Sequence, residues 1–105
     1  MSDVTDLQKR AMLLRERYNE INDRNGYARW NGQDYTSGLV GDVGDLIKIV
    51  MAKENKRSGS DIDDKLRHEL GDILWSLFVI AETYNINLEQ AFYQTMQELE
   101  QRLAA

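Results

Sequence analysis

Residues 68–81 read HELGDILWSLFVIA and combine two acidic residues with apolar residues on several faces of one helix. Its apolar stripe has the three- and four-residue spacing of an α-helix and comprises Leu66, Leu70, Ile73, Leu77 and Ile80. Leu74, Trp75 and Phe78 lie outside this stripe. A helix that is apolar on more than one side needs several packing neighbours. Because the other segments are also helical in their periodicity, the sequence predicts an all-α fold.

The rest of the chain continues the same helical periodicity. It predicts helices at about residues 5–25, 34–54 and 60–84, with Gly26 ending the first and Asn85 ending the third. Asn87 then caps a fourth helix. The expected architecture is a four-helix bundle with an antiparallel central hairpin, forming one domain over residues 1–105.

Composition narrows the class of protein. The chain has 105 residues, 42% of them hydrophobic and 30% charged, with no cysteine and no proline. Disulfides and thiolate metal sites are therefore excluded, and a net charge of −5 argues against nucleic-acid binding. The start of the sequence, MSDVTDLQKR, has no apolar run, and no stretch reaches the ~20 residues of a membrane span, so we expect a cytoplasmic protein.

Two acidic pairs flank the two most apolar helices. Asp42 and Asp45 lie on the second helix, and Glu69 and Asp72 lie on the third. Each pair is spaced i, i+3 and shares one helical face, where like charges repel by a few tenths of a kcal/mol. Acids at helix flanks are commonly solvated surface groups, but two such pairs suggest a shared purpose.

Helical geometry predicts that the two pairs meet. At about 100° per residue, both pairs are offset in the same rotational sense from their apolar stripes, which places them on one side of an antiparallel hairpin. At ~1.5 Å per residue they also lie at nearly the same height above the turn. Carboxylates without histidine or cysteine suit Mg²⁺, or alternatively Mn²⁺, so the predicted metal ligands are Asp42, Asp45, Glu69 and Asp72.

At these residues the sequence resembles the MazG-like all-α nucleoside triphosphate pyrophosphohydrolases. That family carries an ExxE motif on one helix and an ExxD motif on the next. The second motif is intact as Glu69-Leu-Gly-Asp72. The first is the variant Asp42-Val-Gly-Asp45, preceded by Gly41 where the family usually has glutamate. Aspartate is one methylene shorter, so a metal would lie nearer the second helix.

The resemblance implies hydrolysis of a (deoxy)nucleoside triphosphate to the monophosphate and pyrophosphate, as nucleotide-pool housekeeping. Glu69 and Asp72 are the candidate catalytic residues, and Glu69 is preferred as the proton acceptor because it lies nearest the apolar stripe. The alternative is a non-catalytic helical oligomer that binds metal or nucleotide as a sensor or regulatory partner.

Four other residues are candidates for substrate binding, each with a structural alternative. Trp30 can stack on a base or pack against the protein. Lys48 can meet a phosphate or pair with Asp45, and Lys53 and Arg57 can bind phosphate or remain solvated. The apolar residues outside the stripes further predict a homodimer or homotetramer.

Overall fold

The computed structural model describes residues 3–104, which form four α-helices. They are α1 (Val4–Arg24), α2 (Gly32–Lys53), α3 (Ile62–Thr83) and α4 (Leu88–Ala104). The predicted all-α fold is confirmed, with no strand in residues 3–104. Within that part of the chain, no helix is both long and apolar enough to cross a membrane.

Three of the helices end in the same left-handed turn. Gly26, Asn55 and Asn85 follow α1, α2 and α3 with positive φ angles of 75°, 62° and 56°. After α1, for example, the amide of Tyr27 donates to the carbonyl of Asn22 at 2.8 Å. Glycine and asparagine are the residues that adopt this conformation most readily, so the predicted ends at Gly26 and Asn85 are confirmed.

The start of α2 differs from the prediction. The sequence predicts a start near Asp34, whereas the helix begins at Gly32 with Asn31 as its cap. The Asn31 side chain accepts a hydrogen bond from the Asp34 amide, and the Asp34 carboxylate accepts one from the Asn31 amide, both at 2.9 Å. This reciprocal capping box satisfies two backbone amides and makes Asp34 the third helical residue rather than the first.

α2 and α3 pack closely as an antiparallel hairpin, as predicted. Near the connecting turn, Lys53 of α2 bonds to Asp63 of α3 at 2.6 Å. Far from the turn, the rings of Tyr35 and Trp75 meet edge to face with centroids 5.8 Å apart. Residues progressively earlier in α2 thus meet residues progressively later in α3.

α1 packs against α3 through Trp75. The Trp75 indole nitrogen donates to the Ala11 carbonyl at 3.0 Å, and its ring lies 5.8 Å from that of Tyr18. This explains why an aromatic residue lies outside the main α3 stripe: it joins α3 to a third helix. α1 and α2 therefore both pack against α3.

α4 lies at the periphery of the bundle. Its start is fixed by the predicted cap, since the Asn87 side chain accepts from the Gln90 amide at 3.0 Å. Along its described length, however, α4 buries no residue. Phe92 and Leu103 are 58% and 88% exposed. The buried apolar core belongs to the other three helices and comprises Ala11, Tyr35, Ala52, Phe78, Val79 and Ala81.

The α2 capping box predicts a stability difference between two neighbouring substitutions. Asn31→Ala removes the side-chain acceptor and should lower the free energy of unfolding by about 1 kcal/mol. Gln33→Ala, at an exposed position in the same helical turn, serves as the control and should have little effect. Urea unfolding followed by circular dichroism measures both, and equal stabilities of the two variants would contradict the capping role.

Candidate active site

Three of the four predicted carboxylates meet across the α2–α3 hairpin. Asp42 and Asp45 project from adjacent turns of α2, and Glu69 projects from the facing turn of α3. One oxygen from each lies within 4.8 Å of the other two. Asp42 and Glu69 are half-buried, while Asp45 is exposed, so the cluster lies at the edge of the helix interface and opens to solvent.

Glu69 is the carboxylate whose ionisation this arrangement alters. Partial burial raises the pKa of its carboxyl above the ordinary value of 4.5, and the charges of Asp42, Asp45 and Asp72 raise it further. Desolvation and like charge both disfavour the ionised form of an acid. Glu69 therefore holds a proton more readily than an isolated glutamate does.

Asp72 occupies a different position from the other three acids. It is half-buried one turn beyond Glu69, and its charge contributes to the raised pKa of Glu69. The group of carboxylates that fit within 4.8 Å of one another does not include it. Its assignment as a fourth metal ligand stays a prediction, as do the catalytic roles of both α3 acids.

The chemistry of this cluster fits a hard divalent cation. All three donors are carboxylate oxygens on two facing helices, and Mg²⁺ and Mn²⁺ prefer such ligands. Three nearby carboxylates repel one another, and a bound cation converts that repulsion into attraction. Asp42, Asp45 and Glu69 are thus the residues of this structure that are best placed to hold a metal.

A family model for the MazG nucleotide pyrophosphohydrolase domain matches residues 31–104. The chain belongs to this family. The match begins at the cap of α2 and extends through α4, so it includes all four predicted acids of the MazG domain. Searches of curated proteins and of solved structures found no significant match.

Trp30 lies beside α2 of the MazG domain, at the end away from the hairpin turn. Its ring contacts Gly38, where an added Cβ would lie 3.3 Å from the indole. It also meets Tyr35 edge to face, with centroids 5.4 Å apart, yet remains 52% exposed. Gly38 precedes Asp42 by one helical turn. Trp30 is thus partly packed and partly available to a ligand near the acidic cluster.

The predicted phosphate-binding residues differ in their surroundings. Lys53 is paired with Asp63 at 2.6 Å. Among the described residues, Lys48 forms no salt bridge, so the alternative pairing with Asp45 is absent. Lys48 and Arg57 instead line a pocket of about 200 Å³ beside the hairpin turn.

The same pocket includes Lys65, a residue that is not among the predicted phosphate-binding residues. Lys65 lines it together with Lys48 and Arg57, although Lys65 lies on α3 and the other two belong to α2 and the turn. Its position four residues before Glu69 was the available signal, because residues at that spacing share a helical face. Charge alone did not distinguish it from the other cations of the chain.

The raised pKa of Glu69 predicts how metal-free stability depends on pH. The folded protein binds the Glu69 proton more tightly than the unfolded chain does. The associated stability is present below pH 4.5 and is lost as the pH rises through the raised folded pKa. In chelator, Glu69→Gln should therefore become more stable than the wild type, by a few degrees in melting temperature, as the pH increases.

Melting curves between about pH 4 and pH 8 measure this difference. Glu98→Gln, at an exposed position on α4, removes the same charge from a different helix and should follow the wild type. If the melting temperatures of the wild type and Glu69→Gln changed in parallel over the whole pH range, the folded protein would not disfavour the ionised form of Glu69.

Proposed function

We propose that this MazG domain hydrolyses a (deoxy)nucleoside triphosphate to the monophosphate and pyrophosphate, with Mg²⁺ or Mn²⁺ as cofactor. The observation that carries the proposal is the convergence of Asp42, Asp45 and Glu69 within 4.8 Å, inside the region that matches the family. We propose that the chain acts as one domain in the cytoplasm, with nucleotide-pool housekeeping as its role.

The proposed reaction is an in-line displacement at the α-phosphorus. When bound, the divalent ion supplies charge neutralisation at the phosphates and acidifies water. Glu69 accepts a proton from the attacking water. The water oxygen bonds to the α-phosphorus, and the bond from that phosphorus to the α–β bridging oxygen breaks. The electron pair of the broken bond leaves with pyrophosphate, and Glu69 returns its proton to solvent.

The proposed metal ligands are Asp42, Asp45, Glu69 and Asp72. The first three are supported by their mutual distances, and Asp72 is supported by its position in the ExxD motif and its electrostatic effect on Glu69. A displaced fourth carboxylate can join the site by a side-chain rotation or through a bound water. It can also orient Glu69, which is a catalytic contribution that needs no metal contact.

The proposed substrate contacts are Trp30 for the base and Lys48, Lys53 and Arg57 for the phosphates. The half-exposed indole of Trp30 offers an aromatic face close to the acidic cluster. Lys48 and Arg57 line one pocket beside that cluster, whereas Lys53 must first leave Asp63. Exposed ion pairs are weak, so this exchange costs little.

We further propose that the domain works as a homodimer or homotetramer. The chain exposes 8264 Å² of surface, about 2,200 Å² more than a compact monomer of its mass. Its radius of gyration of 16.7 Å likewise exceeds the ~13 Å of a compact chain. Exposed apolar side chains occur on all four helices, including Leu13, Ile47, Leu70 and Phe92. The excess surface is ample for the ~800 Å² that each partner buries in a stable interface.

Assembly predicts a molar mass well above that of one chain. Static light scattering at micromolar concentration should give at least twice 12.2 kDa, because burial of the exposed apolar side chains favours association. Dilution should lower the mass towards the monomer value. A monodisperse species of 12.2 kDa at high micromolar concentration would rule out the proposed oligomer.

The hydrolysis proposal predicts both the products and the position of attack. Incubation with a panel of nucleoside triphosphates and Mg²⁺ or Mn²⁺ should yield monophosphate and pyrophosphate, and chelation should abolish turnover. In ¹⁸O-labelled water the label should enter the monophosphate, because water attacks the α-phosphorus. Formation of nucleoside diphosphate and orthophosphate, or activity that survives chelation, would refute the proposed reaction.

A matched pair of variants connects that reaction to the acidic cluster. Asp45→Asn should lower kcat by at least about 100-fold and reduce the metal-induced rise in melting temperature. Asp64→Asn is the control, since Asp64 is exposed on α3 and forms only a surface ion pair with Arg67. If metal stabilises the wild type through Asp45 but no product forms, the non-catalytic alternative is favoured instead.

A further inference from the structure

The pocket beside the hairpin turn continues the acidic cluster along α2 and α3. Lys48 follows Asp45 by three residues on α2, and Lys65 precedes Glu69 by four residues on α3. At ~1.5 Å per residue, each lysine lies about 4–6 Å along its helix from the neighbouring acid. Both displacements point towards the turn, so the pocket and the cluster are adjacent sections of one surface.

Three cations surround this pocket without a protein partner. Lys48, Arg57 and Lys65 form no salt bridge within the described part of the chain. Two nearby lysines behave differently, since Lys53 is paired with Asp63 and Lys56 with Glu54. The pocket thus concentrates cations that are free to bind an external anion, in a protein whose net charge is −5.

The rest of the lining suits an anion that has many oxygen atoms. Ser58 and Ser60 border the pocket and offer hydroxyl donors, while Ile49, Ala52 and Ile62 are its apolar members. Arginine can donate two parallel hydrogen bonds to phosphate oxygens, and lysine offers a compact positive charge. Three cations arranged around about 200 Å³ match a diphosphate group better than a single carboxylate.

The opposite end of the same surface has a different chemistry. Trp30 lies against Gly38, one turn of α2 before Asp42, and offers a half-exposed aromatic ring. Along α2 the order is therefore an aromatic ring, the carboxylates and the basic pocket. A nucleoside triphosphate has a corresponding order of base, α-phosphate and terminal phosphates.

We infer that the basic pocket of Lys48, Arg57 and Lys65 receives the β- and γ-phosphates and retains the departing pyrophosphate, with the base directed towards Trp30. This inference rests on the proposed hydrolysis and specifies its substrate polarity. It gives Lys65 a binding role, and it adds the hydroxyls of Ser58 and Ser60 as phosphate donors. The cations also stabilise the negative charge that develops on the leaving pyrophosphate.

Binding of inorganic pyrophosphate tests the pocket directly. Isothermal titration calorimetry in Mg²⁺ should show about tenfold weaker binding for Lys65→Gln, because a charge-assisted contact is lost. Lys65→Arg, which keeps the charge, should restore most of the affinity. Lys56→Gln is the matched control in the same turn, where Lys56 pairs with Glu54 outside the pocket, and should weaken binding less than about threefold.

Product inhibition then tests the polarity. Lys65→Gln should raise the inhibition constant of pyrophosphate about tenfold and leave that of the nucleoside monophosphate unchanged. Pyrophosphate affinity that is equal in wild type and Lys65→Gln, or weakened equally by Lys56→Gln, would overturn the inference. If the wild type releases no pyrophosphate from any triphosphate, the proposed hydrolysis fails, and calorimetry still decides whether the pocket binds a diphosphate.

Discussion

Mutual repulsion among the carboxylates of Asp42, Asp45 and Glu69 is the main electrostatic constraint on this structure. Helix packing holds one oxygen of each carboxylate within 4.8 Å of the other two. Partial burial raises the pKa of Glu69, and the neighbouring negative charges raise it further. Without a cation this arrangement opposes folding. A bound divalent ion would turn this repulsion into attraction and would thereby stabilise the folded cluster.

The surrounding helices supply the rigidity that keeps these charges together. Trp75 is central, since its indole bonds to the α1 backbone and its ring contacts both Tyr18 and Tyr35. Tyr35 in turn contacts Trp30, which completes a continuous series of aromatic rings from α1 through α3 to the segment before α2. The acidic cluster lies nearer the hairpin turn on α2 and α3, and its member Asp45 is exposed.

Much of the fold and the site could be predicted from the sequence because it depends on local periodicity. The i, i+3 acid pairs and the short turn were enough to bring Asp42, Asp45 and Glu69 together, since rise and rotation per residue are nearly constant in a helix. Gly26 and Asn85 were recognisable because few residues adopt positive φ readily. These features depend on backbone geometry rather than on distant side chains.

Features that depend on side-chain choice were harder to predict. Asn31 and Asp34 can each cap a helix, and only their reciprocal bonds decide that α2 starts at Gly32. Asp72 shares a face with Glu69, yet its side chain lies outside the three-oxygen group, which the i, i+3 spacing alone does not predict. Lys53 and Lys65 look alike in sequence, but one is paired and the other lines the basic pocket.

Paramagnetic broadening by Mn²⁺ tests directly whether Asp42, Asp45 and Glu69 bind a divalent ion. Substoichiometric Mn²⁺ added to isotopically labelled protein broadens amide signals near its binding site, which two-dimensional NMR locates by residue. We expect the broadening to centre on residues 41–46 of α2 and 68–73 of α3, and we expect Asp45→Asn to weaken it. Broadening centred instead on the exposed acids Asp61, Asp63 and Asp64 at the start of α3 would contradict it.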